Sequence, residues 1–370
     1  MKKIKIGLLK IGSRISWGTK NNSAANGECK IIAEMLSRAD AEVHIITKIL
    51  KGDEQPKQFK FHNIETEWET IKNLNLDCLL VVNGNVNFFG GAEDRPALLN
   101  YIIINQFKGQ IVYLFTDGDL YLKQVSIKGK EWSSNWNEKD LQITRTDIKY
   151  LSQAYNIDSV KMLIKKSGIS IENITYFPIE MYGCLKKIVP FNPNPEFDLI
   201  YGGSHRGKKR IKKLSNYYFG HQNAKVHLFG SISINHFDSV KGLPNEHPSF
   251  GPSIEFDKFT QNLNRSRAHL IIGDPWYEGN IITLRVYESI MSSVVTFIDS
   301  SFDPERRIYK NDPKLVEWLY INSKEELIEK LELLRDDNLR QKIINRQFKA
   351  INFNQIEFET KFLNTIKSLI

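Results

Sequence analysis

Two stretches in the second half of the chain and three in the first carry groups suited to holding a phosphorylated ligand, moving a proton or stacking on a base. In residues 199–210 (LIYGGSHRGKKR) an apolar run opens onto Gly202, Gly203 and Ser204 and then a basic helix start. Glycines admit a ligand close to the main chain, and free N–H groups at a helix N-terminus attract phosphate. Arg206 and Arg210 are four residues apart, so on a helix they share a face and suit a diphosphate clamp. The same letters also spell a tight strand-to-helix turn with a solvated basic face, and His205 reads as a solvated ring rather than a catalyst. In residues 270–288 (LIIGDPWYEGNIITLRVYE) a strand ends at Gly273–Asp274, a polar loop follows, and a helix carries Arg285 and Glu288 three residues apart. An arginine there can meet a phosphate while the glutamate accepts hydrogen bonds from ribose hydroxyls. Taken alone, the pair is equally an exposed ion pair of little worth.

In the first half, residues 112–119 (VYLFTDGD) place Asp117 just past a buried strand. A carboxylate at the carboxyl end of a strand suits a general base, although Asp-Gly is also an ordinary turn pair. Residues 86–91 (VNFFGG) put Asn87, Phe88 and Phe89 on a glycine-bounded loop, where rings could stack on a base or fill a core. Basic residues and tryptophans interleave in residues 123–136 (KQVSIKGKEWSSNW), which suits a sugar–phosphate backbone with unstacked bases, or equally a surface loop with buried tryptophans. Eight histidines are scattered without an HExxH pattern, and Cys29, Cys78 and Cys184 are far apart with no metal-ligand spacing. The cysteines read as reduced thiols, and structural zinc is not expected.

The elements that position these groups alternate between short apolar runs and amphipathic stretches, the pattern of parallel sheets covered by helices. Strands are predicted at residues 4–9, 43–47, 78–83, 111–116 and 174–179, with a helix over 28–37. A second series begins at 197–202 and continues at 226–229, 270–273 and 294–299, followed by helices at 324–334, 339–350 and 356–369. Residues 188–196 (IVPFNPNPE) hold three prolines and read as the linker. The expectation is an α/β protein of two Rossmann-like domains facing a central cleft, residues 1–187 and 188–353, with a C-terminal helix over 354–370 packing back on the first. A chain of 370 residues with 41% hydrophobic and 25% charged residues suits two soluble domains. The net charge of +8 fits a polyanionic partner, and no apolar run is long enough to cross a bilayer. The N-terminus lacks the pattern of a signal peptide, so the protein is expected in the cytoplasm.

With these motifs in view, the chain resembles the T-even bacteriophage DNA β-glucosyltransferase family. The resemblance runs through LVVNGNVNFFGG (80–91), YLFTD (113–117), YFPIEMY (176–182), DLIYGGSHR (198–206) and residues 270–288, in that order. It implies the GT-B fold and inverting transfer of glucose from UDP-glucose to the hydroxymethyl group of 5-hydroxymethylcytosine in duplex DNA, with base flipping. By the resemblance, Asp117 is the catalytic base and Glu28 a second acidic residue of the active site. Gly203, Ser204, Arg206, Arg210 and Arg285 fall on the donor diphosphate site, Glu288 on ribose, and the backbone of Ile254 on uracil. Glu180, Asp274 and Tyr277 match further residues of the sugar or metal region, while Phe89 and Asn87 lie near the extruded base. A divalent cation, Mg²⁺ or Mn²⁺, is implied, and the protein is expected to act as a monomer in the cytoplasm of a phage-infected bacterium.

Departures from the family pattern lie in residues 10–27, in the segment after Leu120 and at His205. They leave open another UDP-sugar, such as a pentose, or 5-hydroxymethyluracil as acceptor. A DNA-binding protein with a decayed transferase site is disfavoured by the presence of Asp117, Glu28, Arg206, Arg210, Arg285 and Glu288. A lipid or cell-wall glycosyltransferase would carry a basic amphipathic membrane helix, and none is evident.

Overall fold

The computed structural model describes residues 3–11, 14–17, 24–82, 94–115, 143–153, 171–204, 208–273 and 278–370. The chain divides into two compact units, residues 1–179 with 354–370, and residues 180–353.

The first unit contains β1 (Lys5–Lys10), α1 (Ala24–Arg38), β2 (Glu42–Thr47), β3 (Phe59–Asn63), α2 (Ile64–Ile71), β4 (Cys78–Val82), α3 (Asp94–Gln106), β5 (Gln110–Phe115), β6 (Lys149–Ser152) and β7 (Ile174–Tyr176). Among the described residues its strands form one parallel sheet in the order β3-β2-β1-β4-β5-β6-β7. Every residue of β4 is buried, as expected of a central strand covered on both faces. In α1 the buried Cys29, Ile32, Ala33 and Leu36 recur at helical spacing and form the stripe that meets the sheet. The strand order reverses between β1 and β4, where Lys10 pairs with Val82. Ligands of open α/β sheets bind at such a reversal, beyond the carboxyl ends of the strands.

The second unit contains β8 (Phe197–Ser204), α4 (Lys208–Tyr218), β9 (Val226–Ser231), β10 (Ser249–Gly251), α5 (Phe259–Leu263), β11 (Ser266–Ile271), α6 (Leu284–Met291), β12 (Val295–Asp299), α7 (Pro313–Leu319), β13 (Tyr320–Ile321), α8 (Lys324–Leu333) and α9 (Asp337–Ile351). Its parallel sheet runs β10-β9-β8-β11-β12-β13, with the same reversal between β8 and β11. The hydroxyl of Tyr218 on α4 donates to the carbonyl of Leu270 on β11 at 2.8 Å, which fixes α4 beside the reversal. Caps set the later helices: Asp312 before Pro313, Ser323 and Asp336 each accept from a first-turn N–H. Helix α9 ends at Asn352, in the left-handed conformation with φ 45°.

The chain then returns to the first unit as α10 (Gln355–Lys367). Arg38 of α1 meets Glu359 at 2.7 Å, and Phe358 and Phe362 pack on Phe177 with ring centroids 5.5 and 5.1 Å away. The break between units falls between Ile179 and Glu180, ahead of the proline-rich stretch expected to mark it. The physical reason is that this stretch is bound into the second unit. Val189 N donates to Met291 O at 2.9 Å, Asn264 Nδ2 to Pro190 O at 3.0 Å, and Arg340 Nη2 to Asn192 O at 2.7 Å. Among the described residues, no helix is long and apolar enough to cross a membrane.

Candidate active site

At the reversal of the second sheet, β8 ends in Gly203 and Ser204, paired in register with Gly230 and Ser231 of β9. Gly230 has φ 121°, and a Cβ there would lie 1.9 Å from the Gly203 carbonyl oxygen, so the close approach of the two strand ends requires glycine. Helix α4 follows and carries Arg210, whose Nε is buried with no hydrogen-bond partner among the described residues. A buried donor left unmet costs roughly 1–3 kcal/mol, which an acceptor supplied by a ligand would recover. Neither α4 nor α6 has an acidic residue in its first turn, which leaves the first turns of both helices suited to an anion.

Helix α6 brings up Arg285 and Glu288. Arg285 Nη1 donates to Glu288 Oε2 at 2.6 Å, and its Cζ lies 3.7 Å from the ring centroid of Phe259. Phe259 packs with Ile200, Phe229 and Leu263, and Ile254 leans on the same cluster. Ile254 itself lies in residues 252–255, which have neither helical nor strand pairing. The structure therefore brings Ile254 and Arg285 onto one aromatic cluster, with Glu288 bonded to Arg285.

Glu288 is fully buried, with 0% exposure. Its other oxygen, Oε1, lies 2.6 Å from Lys186 Nζ, which donates to Phe256 O at 2.9 Å and sits 3.5 Å above the Phe256 ring centroid. Burial pulls the Lys186 pKa below its ordinary value, although Glu288 opposes the shift. Lys186 reaches this position because Gly183 lets the preceding turn settle on α6: a Cβ there would stand 2.8 Å from Leu284 Cδ1 and Tyr287 Cβ. Behind the helix, burial pushes the His269 pKa down to about 3, so the ring is neutral and bonds Ser289 Oγ at 3.0 Å.

Two further groups flank this set. Lys213, one turn beyond Arg210 on α4, bonds Glu278, Asp299 at 2.9 Å and Ser301 at 2.6 Å. Burial works against its charge, but the Glu278 and Asp299 carboxylates outweigh that and hold its pKa above the usual value. Glu180 is 2% exposed, its Oε2 has no hydrogen-bond partner, and burial raises its pKa to about 8 despite its own N–H and Arg307. Among the described residues, no three His, Cys, Asp or Glu side chains are grouped to hold a metal.

In the first unit, Glu28 of α1 is buried at the carboxyl end of β1, where its Oε2 lies 3.0 Å from Lys10 Nζ. Asn100 Nδ2 donates to Lys10 O at 3.3 Å, and Asn26 exchanges two 3.0 Å bonds with the main chain of Ser16. Strand β5 ends at Phe115, just before Asp117. Asp117, Asn87, Phe89, Arg206, Asp274 and Tyr277 lie outside the described residues, as do residues 123–136. The three cysteines are free and buried, and burial lifts the thiol pKa of Cys29 and Cys78 to about 12, so they remain protonated and inert.

Lysines 10, 186 and 213 escape sequence reasoning. Lys213 is three residues after Arg210, so helical spacing could have found it. Lys10 closes an apolar run at a strand's carboxyl end, which is also a usable signal. Lys186 stands in a non-periodic stretch, and its burial comes from tertiary packing alone.

Two α/β units, each built on a parallel sheet whose strand order reverses, give the fold of the GT-B class of glycosyltransferases. A family profile described as Bacteriophage T4 beta-glucosyltransferase matches residues 5–183. The DNA beta-glucosyltransferase of Enterobacteria phage T4 is 32% identical over 355 residues, covering 94% of this chain and 95% of that protein. The structure of T4 phage β-glucosyltransferase with UDP and Mn²⁺ matches with a TM-score of 0.79 at 27% identity over 99% of each chain. The same enzyme with its UDP-glucose substrate matches at 0.78 and 26%, again over 99% of each. An alpha-glucosyltransferase in complex with UDP and a 13-mer DNA containing an HMU base shares the fold, with a TM-score of 0.63 at 12% identity over 100% of each chain. The chain belongs to the DNA beta-glucosyltransferase family.

Proposed function

We propose that this glucosyltransferase moves glucose from UDP-glucose to the hydroxymethyl oxygen of 5-hydroxymethylcytosine in duplex DNA, inverting the anomeric centre. The observation that carries the donor half is the Arg285–Glu288 pair, held against Phe259 at the strand reversal of the second unit. The two side chains offer a cation to the diphosphate and carboxylate oxygens to the ribose hydroxyls. The solved relatives bound to UDP-glucose and to UDP with Mn²⁺ support the same donor.

In this reading the second unit binds the donor and the first binds DNA. Gly203, Ser204, Arg206 and Arg210 receive the diphosphate with Arg285, Glu288 takes the ribose, and the backbone of Ile254 meets uracil. The target base leaves the helix so that its hydroxymethyl group can reach the sugar, with Phe89 and Asn87 beside it. Asp117 accepts the hydroxyl proton as the oxygen attacks the anomeric carbon from the face opposite UDP. The bond from that carbon to the diphosphate oxygen breaks, and the arginines stabilise the charge left on UDP. Glu28 orients the sugar, and Asp274 and Tyr277 line the same region.

The buried, unpartnered Oε2 of Glu180 fits a hard divalent cation held jointly with substrate phosphates. Such an ion would offset charge on the departing diphosphate. The protein is proposed to work as a monomer in the cytoplasm of an infected bacterium.

The donor assignment is tested by titration calorimetry of Arg285→Ala with UDP and with uridine. The reading expects UDP affinity to fall at least tenfold while uridine affinity changes little; UDP binding as tight as in the unaltered protein would remove Arg285 from the diphosphate site.

A further inference from the structure

Both carboxylate oxygens of Glu288 face a cation: Arg285 Nη1 donates to Oε2 at 2.6 Å, and Lys186 Nζ forms an ion pair with Oε1 at 2.6 Å. Oε1 accepts no hydrogen bond among the described residues, and each oxygen has two lone-pair sites, so a ribose hydroxyl can donate to Glu288 with both cations in place.

The two cations differ in how firmly they are held. Lys186 Nζ is fixed by Glu288, by the Phe256 carbonyl at 2.9 Å and by the Phe256 ring face, and its side chain is 10% exposed. The Arg285 side chain is 32% exposed and lies on the flat face of Phe259, a surface along which a guanidinium can shift and remain in contact.

We propose that Lys186 is a positioning residue for nucleoside recognition: its ion pair with Oε1 holds the Glu288 carboxylate in place to receive the ribose hydroxyls, while Arg285 meets the donor's diphosphate. This deepens, and rests on, the reading of Arg285 and Glu288 given above. The tight seat of Gly183 against Leu284 and Tyr287 fixes the main chain that carries Lys186 to α6. Lys186 and Glu288 are also interdependent in charge: burial lowers the lysine's pKa, and the carboxylate is what opposes it.

The experiment is titration calorimetry of the full chain with UDP and with 2′,3′-dideoxyuridine diphosphate, which lacks both ribose hydroxyls. The unaltered protein should prefer UDP by roughly tenfold or more, the scale of a hydrogen bond to a charged group. In Lys186→Met, affinity for UDP should fall until that preference largely disappears, while affinity for the dideoxy compound changes by less than about threefold. Lys186→Arg should restore the preference, and Lys186→Gln, which keeps a donor for the Phe256 carbonyl but no charge, should not. Equal losses for both ligands in Lys186→Met and Lys186→Gln, or an unchanged preference, would overturn the proposal and reduce Lys186 to a structural lysine. If the unaltered protein itself shows no preference, the ribose role of Glu288 fails and the proposal falls with it.

Discussion

Lys10 Nζ lies 3.0 Å from Glu28 Oε2, and both side chains are buried where β1 meets the reversal of the first sheet. A strand end and the adjoining helix thus share one buried charge pair, which fixes the direction of the Glu28 side chain. The family resemblance places Glu28 in the active site, and its buried lysine partner suits that role.

Lys10→Met would leave a buried carboxylate uncompensated. The expected loss of stability is about 3–5 kcal/mol by denaturant unfolding, and a Lys10→Met/Glu28→Gln double variant should recover part of it. A single variant as stable as the parent would show that the pair contributes nothing.

Glu180 makes stability depend on pH in a definite direction. Its carboxyl keeps its proton in the fold up to about pH 8, whereas an ordinary glutamic acid releases it near 4.5. Stability from the neutral form is therefore complete below about 4.5 and is lost as pH rises toward 8. Glu180→Gln, a neutral mimic, should match the parent at pH 5 and melt higher than it at pH 8, by roughly 3 °C or more, with chelator present. Equal melting curves at both pH values would contradict a buried, uncompensated carboxyl.

Asp117→Asn should lower turnover by about 10²–10⁴-fold, the usual worth of general-base assistance, and leave UDP affinity within about twofold. Single-turnover transfer paired with calorimetry separates the two effects. Unchanged turnover would move the base role elsewhere.

DNA affinity should fall steeply with salt, since a chain with a net charge of +8 displaces counterions at each phosphate it meets. Fluorescence anisotropy over a salt series should give a log–log slope of roughly −4 or steeper. A flat dependence would rule out a substantial backbone contact.

Both sheets were legible in the sequence because parallel strands buried on two faces read as apolar runs, as in β4 and β12. Strand β11 starts earlier than its apolar letters suggest, because Ser266 and His269 are buried with their polar atoms hydrogen-bonded. Strands β3, β6, β10 and β13 and helices α2 and α3 escaped notice, the strands because they are only two to five residues long and β3 (FKFHN) has no continuous apolar pattern. That Arg285 and Glu288 share one helix face, and that Arg210 lies in the first turn of a helix, was legible from their spacing. Lys186 was not, because its role depends on Gly183 packing against a helix roughly a hundred residues away in sequence.

The central claim is the reaction itself, and nucleoside mass spectrometry tests it most directly. Duplex DNA containing 5-hydroxymethylcytosine would be incubated with the protein and UDP-glucose, then with other UDP-sugars in turn, and digested to nucleosides. One hexose should be added to 5-hydroxymethylcytosine from UDP-glucose, and none with Asp117→Asn over the same interval. No hexosylated nucleoside from UDP-glucose, or a product formed only from another donor such as a UDP-pentose, would contradict it.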